Sequence, residues 1–199
     1  MDAVRVALLR EVLAGTEWLS TTRRFAQVLR GSVVTHGGGL LLVGTPEYEP
    51  WHLAAHLVDE AAWSGTPELA PTLVRHDARP SDPAHLAVGL GRIESASRGE
   101  TLLVVAPTEP EPLLERVHSA RRSGATVLAL GSGGGELGAM AHETLDVPEG
   151  RELDLDTVQH LISAGAGERA ATPGRPRGRF RDRLSRIAET LTAGAPGAW

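Results

Sequence analysis

The chain has no lysine and no cysteine among its 199 residues, and all 20 basic residues are arginine. Without lysine there is no Schiff base to a sugar carbonyl or to pyridoxal phosphate, and no P-loop lysine. Without cysteine there is no disulfide, thiol nucleophile, iron–sulfur cluster or thiolate zinc site. The plain explanation of the missing lysine is a codon bias toward arginine. Aromatic residues make up only 4% of the sequence, so the core must be built from Leu, Val and Ala. No apolar run approaches the roughly 20 residues needed to cross a bilayer. The opening segment MDAVRVALLREVLAG is charged and interrupted, unlike a secretory leader, and the expected address is the cytoplasm.

What is present divides in two. A hydrophobic fraction of 41% suffices for a core, and the length fits one domain or one domain with an appendage. Residues 1–167 carry 13 Arg against 22 acidic side chains, a balance of −9, whereas residues 168–199 carry 7 Arg against 3, a balance of +4. An acidic body is a poor binder of nucleic acid. The switch falls on a Pro/Gly/Arg stretch, so the sequence predicts a body over 1–167, a linker over 168–178 and a basic amphipathic helix with a disordered end over 179–199. In that last segment Phe180, Leu184, Ile187 and Leu191 form one apolar stripe beside Arg177, Arg179, Arg181 and Arg183. It has three potential docking partners: the acidic body, which the charge balance favours, a partner protein, or an anionic surface.

Within the body, apolar spacing predicts helices over 4–13 and 21–29, with Gly37-Gly-Gly39 ending the helical region. Leu40-Leu-Leu-Val43 reads as a strand buried on both faces. A helix follows over 50–63, with Pro50 in its first turn. Leu73-Val74 is a short strand, and 82–97 is helical or irregular. Then come a strand over 101–106, a helix over 111–123 capped by Gly124, a strand over 125–130, a short helix over 136–141, a strand over 143–147 and a helix over 153–164. This alternation predicts a three-layer αβα sandwich around a five-stranded, mostly parallel sheet. Ligands of such sheets bind beyond the carboxyl ends of the strands, which selects the loops 44–50, 106–111 and 131–136.

Three segments carry a family resemblance: Arg98-Gly-Glu-Thr-Leu-Leu-Val-Val-Ala-Pro107, Ala120-Arg-Arg-Ser-Gly-Ala-Thr-Val-Leu-Ala-Leu-Gly131 and Leu137-Gly-Ala-Met-Ala-His-Glu-Thr-Leu-Asp-Val-Pro148. Together with Gly39-Leu-Leu-Leu-Val-Gly44 and the helix after it, they resemble the SIS (sugar isomerase) domain over about residues 3–166. The order of strand, His-bearing helix and late Gln-bearing helix is most similar to the phosphoheptose isomerase branch. The resemblance implies a sugar-phosphate ligand and packing of N-terminal helices in a homodimer or homotetramer.

The loops depart from the family pattern, in which Gly/Ser-rich and Ser-Thr-Ser-Gly loops cradle phosphate with hydroxyls and backbone N–H groups. Here they read Thr45-Pro-Glu-Tyr-Glu-Pro50 and Pro107-Thr-Glu-Pro-Glu-Pro112. Proline removes donors and glutamate repels phosphate, leaving Thr45, Tyr48 and Thr108 as hydroxyl donors, with no arginine in either loop. The third loop, around Ser132, Gly133 and Gly134, is the better anion cradle on paper and otherwise a floppy turn.

His52 and His56 lie one helical turn apart, a spacing by which two imidazoles can grip one metal, though an exposed pair or a dimer contact is the plainer reading. Asp59, Glu60 and Trp63 fall near the same face. The resemblance implies a divalent metal such as zinc on His52, His56 and Gln159, with the family's fourth ligand missing because His160 is adjacent rather than properly spaced. His36, His76, His85 and His142 read as solvated. For enediol chemistry a base near the strand ends is required, and Glu49, Glu109 and His160 are candidates. The leading expectation is an SIS-like domain that binds a phosphorylated sugar or related carbohydrate derivative with little or no catalysis. A metal-dependent phosphosugar isomerase is the alternative, and a scaffold recruiting a partner through its C-terminal helix is the third.

Overall fold

Leu40-Leu-Leu-Val43 is apolar at every position and forms β1 (Leu40–Val43), buried throughout. The computed structural model describes residues 3–131, 135–147 and 153–168. Ser132, Gly133 and Gly134 lie outside the described residues, as do the linker beyond Glu168 and the 179–199 helix. Beside β1 lie β2 (Pro71–Val74), β3 (Thr101–Ala106), β4 (Thr126–Gly131) and β5 (Glu143–Asp146). Their order is β2-β1-β3-β4-β5 and every neighbouring pair is parallel, so the sheet of the described residues is wholly rather than mostly parallel.

The helices are α1 (Ala3–Val12), α2 (Glu17–His36), α3 (Trp51–Ser64), α4 (Gly91–Glu94), α5 (Glu111–Arg122), α6 (Glu136–Met140) and α7 (Leu155–Gly167). Strand side chains alternate between the faces. Leu40, Leu42, Leu103, Val105, Leu128 and Leu130 meet Phe25, Leu29, Leu53, Leu57, Val158 and Ile162 from α2, α3 and α7. Leu41, Val43, Leu102, Val104, Val127 and Ala129 meet Ile93, Leu113, Val117 and Leu137 from α4, α5 and α6. The result is the three-layer αβα sandwich expected from the alternation of elements.

Three local expectations are corrected. First, α2 runs to His36, past Gly31 and the β-branched Val33 and Val34, because Phe25, Ala26, Leu29 and Val33 are covered by the core. Second, Pro50 stands just before α3 rather than within its first turn. Third, of the 82–97 segment only Gly91–Glu94 is helical. The start of α7 follows the expected chemistry: the Asp154 side chain accepts from the Thr157 N–H at 2.7 Å, satisfying one of the helix's orphan donors. Among the described residues no helix is long and apolar enough to cross a membrane.

Candidate functional site

The sheet order sets the site. The chain leaves β1 toward β2 on one side, whereas β3 leads to β4 on the other, so a crevice opens at the carboxyl ends of β1 and β3. Val43 and Val104 are paired at this edge, and the loops after β1 and β3 flank the gap.

The loop after β1 is fixed by its own bonds. Thr45 and Tyr48 exchange backbone hydrogen bonds, Thr45 N–H to the Tyr48 carbonyl at 2.9 Å and Tyr48 N–H to the Thr45 carbonyl at 3.2 Å. Gly44 sits so close beneath this turn that a Cβ would overlap the Tyr48 carbonyl. Thr45 is fully buried, and its hydroxyl oxygen has no hydrogen-bond partner among the described residues.

Two residues beyond β2 hold the other end. Arg75 Nε donates to Glu49 Oε2 at 3.2 Å and Nη1 to Asp82 Oδ2 at 3.0 Å, while its guanidinium lies 5.1 Å over the Trp51 ring. The His76 N–H reaches Glu49 Oε1 at 3.3 Å, and its Nε2 lies 2.9 Å from the Gly44 carbonyl. So the acidic loop is served by an arginine after all, supplied from the segment after β2 rather than from the loop itself. His76, expected to be solvated, is half-buried and pins the loop. The signal available in sequence was the Arg75-His76 pair directly after a strand neighbouring β1.

The Arg75 and Glu49 side chains are only 19% and 16% exposed, so breaking their pair strands a partly buried carboxylate. Arg75→Met is expected to lower stability by about 1–3 kcal/mol, read as the urea midpoint. An unchanged midpoint would mean that the ion pair does not hold the loop.

Tyr48 reaches across to α7. Its hydroxyl donates to Asp156 Oδ1 at 2.7 Å and accepts from Gln159 Nε2 at 2.6 Å. Burial, reinforced by the bond to Asp156, pushes the phenol up to about 12, so it stays protonated. Gln159 is 1% exposed, and its Oε1 is shut from solvent with no partner among the described residues. The structure thus ties Tyr48, expected with Thr45 to bind ligand, to Gln159, expected to bind a metal.

Of the remaining residues, Thr108 is exposed in the loop after β3. Glu109 turns its carboxylate onto Gly135 at the head of α6, so that a Cβ there would overlap it. His56 stacks on His52 with ring centroids 6.4 Å apart and meets His160 at 4.5 Å. Burial, then the neighbouring His160, lowers the His56 pKa. Both His56 nitrogens are shut from solvent without partners among the described residues.

No three His, Asp or Glu side chains among the described residues come together as metal ligands. Of the expected set His52, His56 and Gln159, the Gln159 Nε2 is engaged by Tyr48, while its Oε1, the atom a metal would take, is not. Of the three base candidates, Glu49 is held by Arg75 and His76, Glu109 lies beside Gly135, and the His160 ring packs on His56.

No protein-family model and no curated protein matches this sequence. Among solved structures, a candidate phosphosugar isomerase from Silicibacter pomeroyi DSS-3 is similar over 96% of this chain and 54% of its own, with 18% identity and a TM-score of 0.50. The chain therefore spans about half the length of that protein. The sugar isomerase domain of an RpiR transcription factor from Sphaerobacter thermophilus is similar over 96% of this chain and 97% of its own, with 13% identity and a TM-score of 0.51. The described body has the fold of these sugar isomerase domains.

Proposed function

We propose that this chain is a sugar isomerase-fold module that binds a phosphorylated sugar or related carbohydrate derivative in the crevice at the ends of β1 and β3, with little or no catalysis. The observation that carries the reading is Thr45. A hydroxyl fully buried at the carboxyl end of β1, at the point where the sheet order reverses, has no hydrogen-bond partner among the described residues. Such a group is costly unless something else bonds to it. The two structural neighbours, one a candidate phosphosugar isomerase and the other a sugar isomerase domain, support the ligand class. The ion pair and hydrogen bond that hold Glu49 support weak rather than efficient proton transfer by that carboxylate. With no lysine in the chain, a phosphate here has to be held by arginine, by backbone N–H groups or by a metal.

A thermal-shift panel of sugar phosphates and nucleotide sugars tests this. A ligand present at about 100 times its Kd stabilises by about 2.7 kcal/mol, a rise of several degrees for a domain of this size. Thr45→Val is the companion variant. Removing an unpartnered hydroxyl is expected to leave the ligand-free melting temperature equal or slightly higher, while the shift produced by the ligand falls by at least half. No shift at millimolar concentration across the panel would overturn the reading.

A further inference from the structure

We propose that Asp156 and Gln159 form a hydroxyl-binding subsite that Tyr48 itself occupies in the closed loop, and that the polyol end of the ligand competes with the phenol for it. This rests on the sugar-phosphate reading above and assigns the end of the ligand that its phosphate does not fill.

The phenol oxygen donates one hydrogen bond to a carboxylate and accepts one from an amide, at 2.7 and 2.6 Å. A sugar hydroxyl does the same with the same two partners. The orientation of the Gln159 amide is fixed independently of Tyr48, because its Nε2 also faces the Leu155 carbonyl at 3.2 Å and Asp156 Oδ1 at 3.3 Å. Its Oε1 is consequently an acceptor with no donor among the described residues, in a residue only 1% exposed. A tyrosine has one hydroxyl and satisfies only part of this set. A sugar offers hydroxyls on adjacent carbons, and the second can donate to Oε1.

The exchange asks little of the backbone. Gly44 and Glu49 are pinned on either side of the turn by His76 and Arg75, and the Thr45–Tyr48 bonds close it, so rotation of the Tyr48 side chain is enough to vacate the pair. The chemistry also sets polarity: the Asp156 carboxylate, with Asp154 two residues before it, repels phosphate and accepts neutral hydroxyls.

The test is Tyr48→Phe in the full chain, which keeps the ring and removes the competing hydroxyl. Calorimetric titration uses fructose 6-phosphate, glucose 6-phosphate and, as a probe without hydroxylated carbons, inorganic phosphate. At least one sugar phosphate is expected to bind Tyr48→Phe about 3–10-fold more tightly than the wild type, the scale of one hydrogen bond to a charged group less what the ligand gives up to water. Phosphate is expected to bind both proteins equally. Adding Gln159→Leu to Tyr48→Phe is expected to abolish the gain. Gln159→Leu alone, a check should Tyr48→Phe fold poorly, is expected to weaken the sugar phosphate and not phosphate. Sugar-phosphate binding to the wild type with no gain in Tyr48→Phe, or with an equal gain for phosphate, would overturn the subsite alone. Absence of binding to either protein by every sugar phosphate would overturn the sugar-phosphate reading, and the subsite would fall with it.

Discussion

Gly44→Ala is expected to destabilise the protein by about 3 kcal/mol, at the severe end for a single substitution. The added carbon would overlap the Tyr48 carbonyl and stand 2.7 Å from Pro50 Cδ. Neither neighbour is the free end of a side chain. The carbonyl accepts the Thr45 N–H at 2.9 Å, and Pro50 directly precedes α3. The Gly44 carbonyl on the other side is tied to His76 at 2.9 Å. The cheapest relief is to break the Thr45–Tyr48 turn, which also draws Tyr48 away from Asp156 and Gln159. At about 2–4 °C per kcal/mol the melting temperature should fall by about 6–12 °C. Binding of any crevice ligand should weaken with it. Gly31→Ala is the matching control: Gly31 lies within α2, a Cβ there meets nothing within 4 Å, and the change should stabilise by up to about 1 kcal/mol. A Gly44→Ala protein melting within 2 °C of wild type would show, on that same scale, that the turn yields easily and is not the rigid wall of the crevice.

The fold was legible where chemistry is local. Leu40–Val43 and Thr101–Ala106 are unbroken apolar runs too short for helices, and their burial on both faces follows from that composition. The 82–97 segment was not legible, because its path is set by a distant strand. The Arg75 N–H bonds the Val88 carbonyl at 2.8 Å, and Arg75 Nη1 reaches the Leu86 carbonyl and Asp82. Nothing in the local spacing of 82–97 encodes those bonds. The extent of α2 was hidden for a related reason. Gly31, Val33 and Val34 are mediocre helix formers, and it is packing against α7, close enough that Gly165 has only 2.8 Å to spare for a Cβ against Ala26, that carries the helix on to His36.

The site divides along the same line. Thr45 and Tyr48 were legible as hydroxyls in a loop after a strand. Gln159 was legible only as a residue of a late helix. That Tyr48 and Gln159, 111 positions apart, share a hydrogen bond follows from the sheet order, which no motif states. Arg75 shows the limit best. Counting charges within the loop left two glutamates unanswered, yet Glu49 is paired by Arg75, which directly follows the adjacent parallel strand. In a parallel sheet the loops at one edge form a single chemical unit, and their charges balance across strands rather than along the chain.

Glu60→Gln is expected to stabilise the protein in alkaline solution and to leave it unchanged in acid. Glu60 lies on α3, 9% exposed, with its carboxylate against Gly167 in the last turn of α7, where a Cβ would overlap it. The carboxyl end of a helix carries partial negative charge, an unfavourable neighbour for a carboxylate. Asp59 and Glu168 add to it. Of the nearby arginines, Arg10 is engaged by Glu168 at 2.5 Å, and Arg30 donates to the Ala166 carbonyl and the Thr66 hydroxyl, each at 2.8 Å. Burial first, with Asp59 and Glu168 reinforcing it, pushes the Glu60 pKa up to about 7 from an ordinary 4.5. A carboxyl raised on folding contributes its full stability below pH 4.5 and loses it as the pH climbs to about 7, since only the folded protein resists the charge. Glutamine keeps the shape and never ionises. Urea unfolding of the two proteins should therefore coincide near pH 4 and separate through pH 5–7, with the variant ahead by on the order of 2 kcal/mol at pH 8.5, allowing for residual solvent contact. A difference of constant size across that range would show that the seam between α3 and α7 responds to the shape of residue 60 and not to its charge.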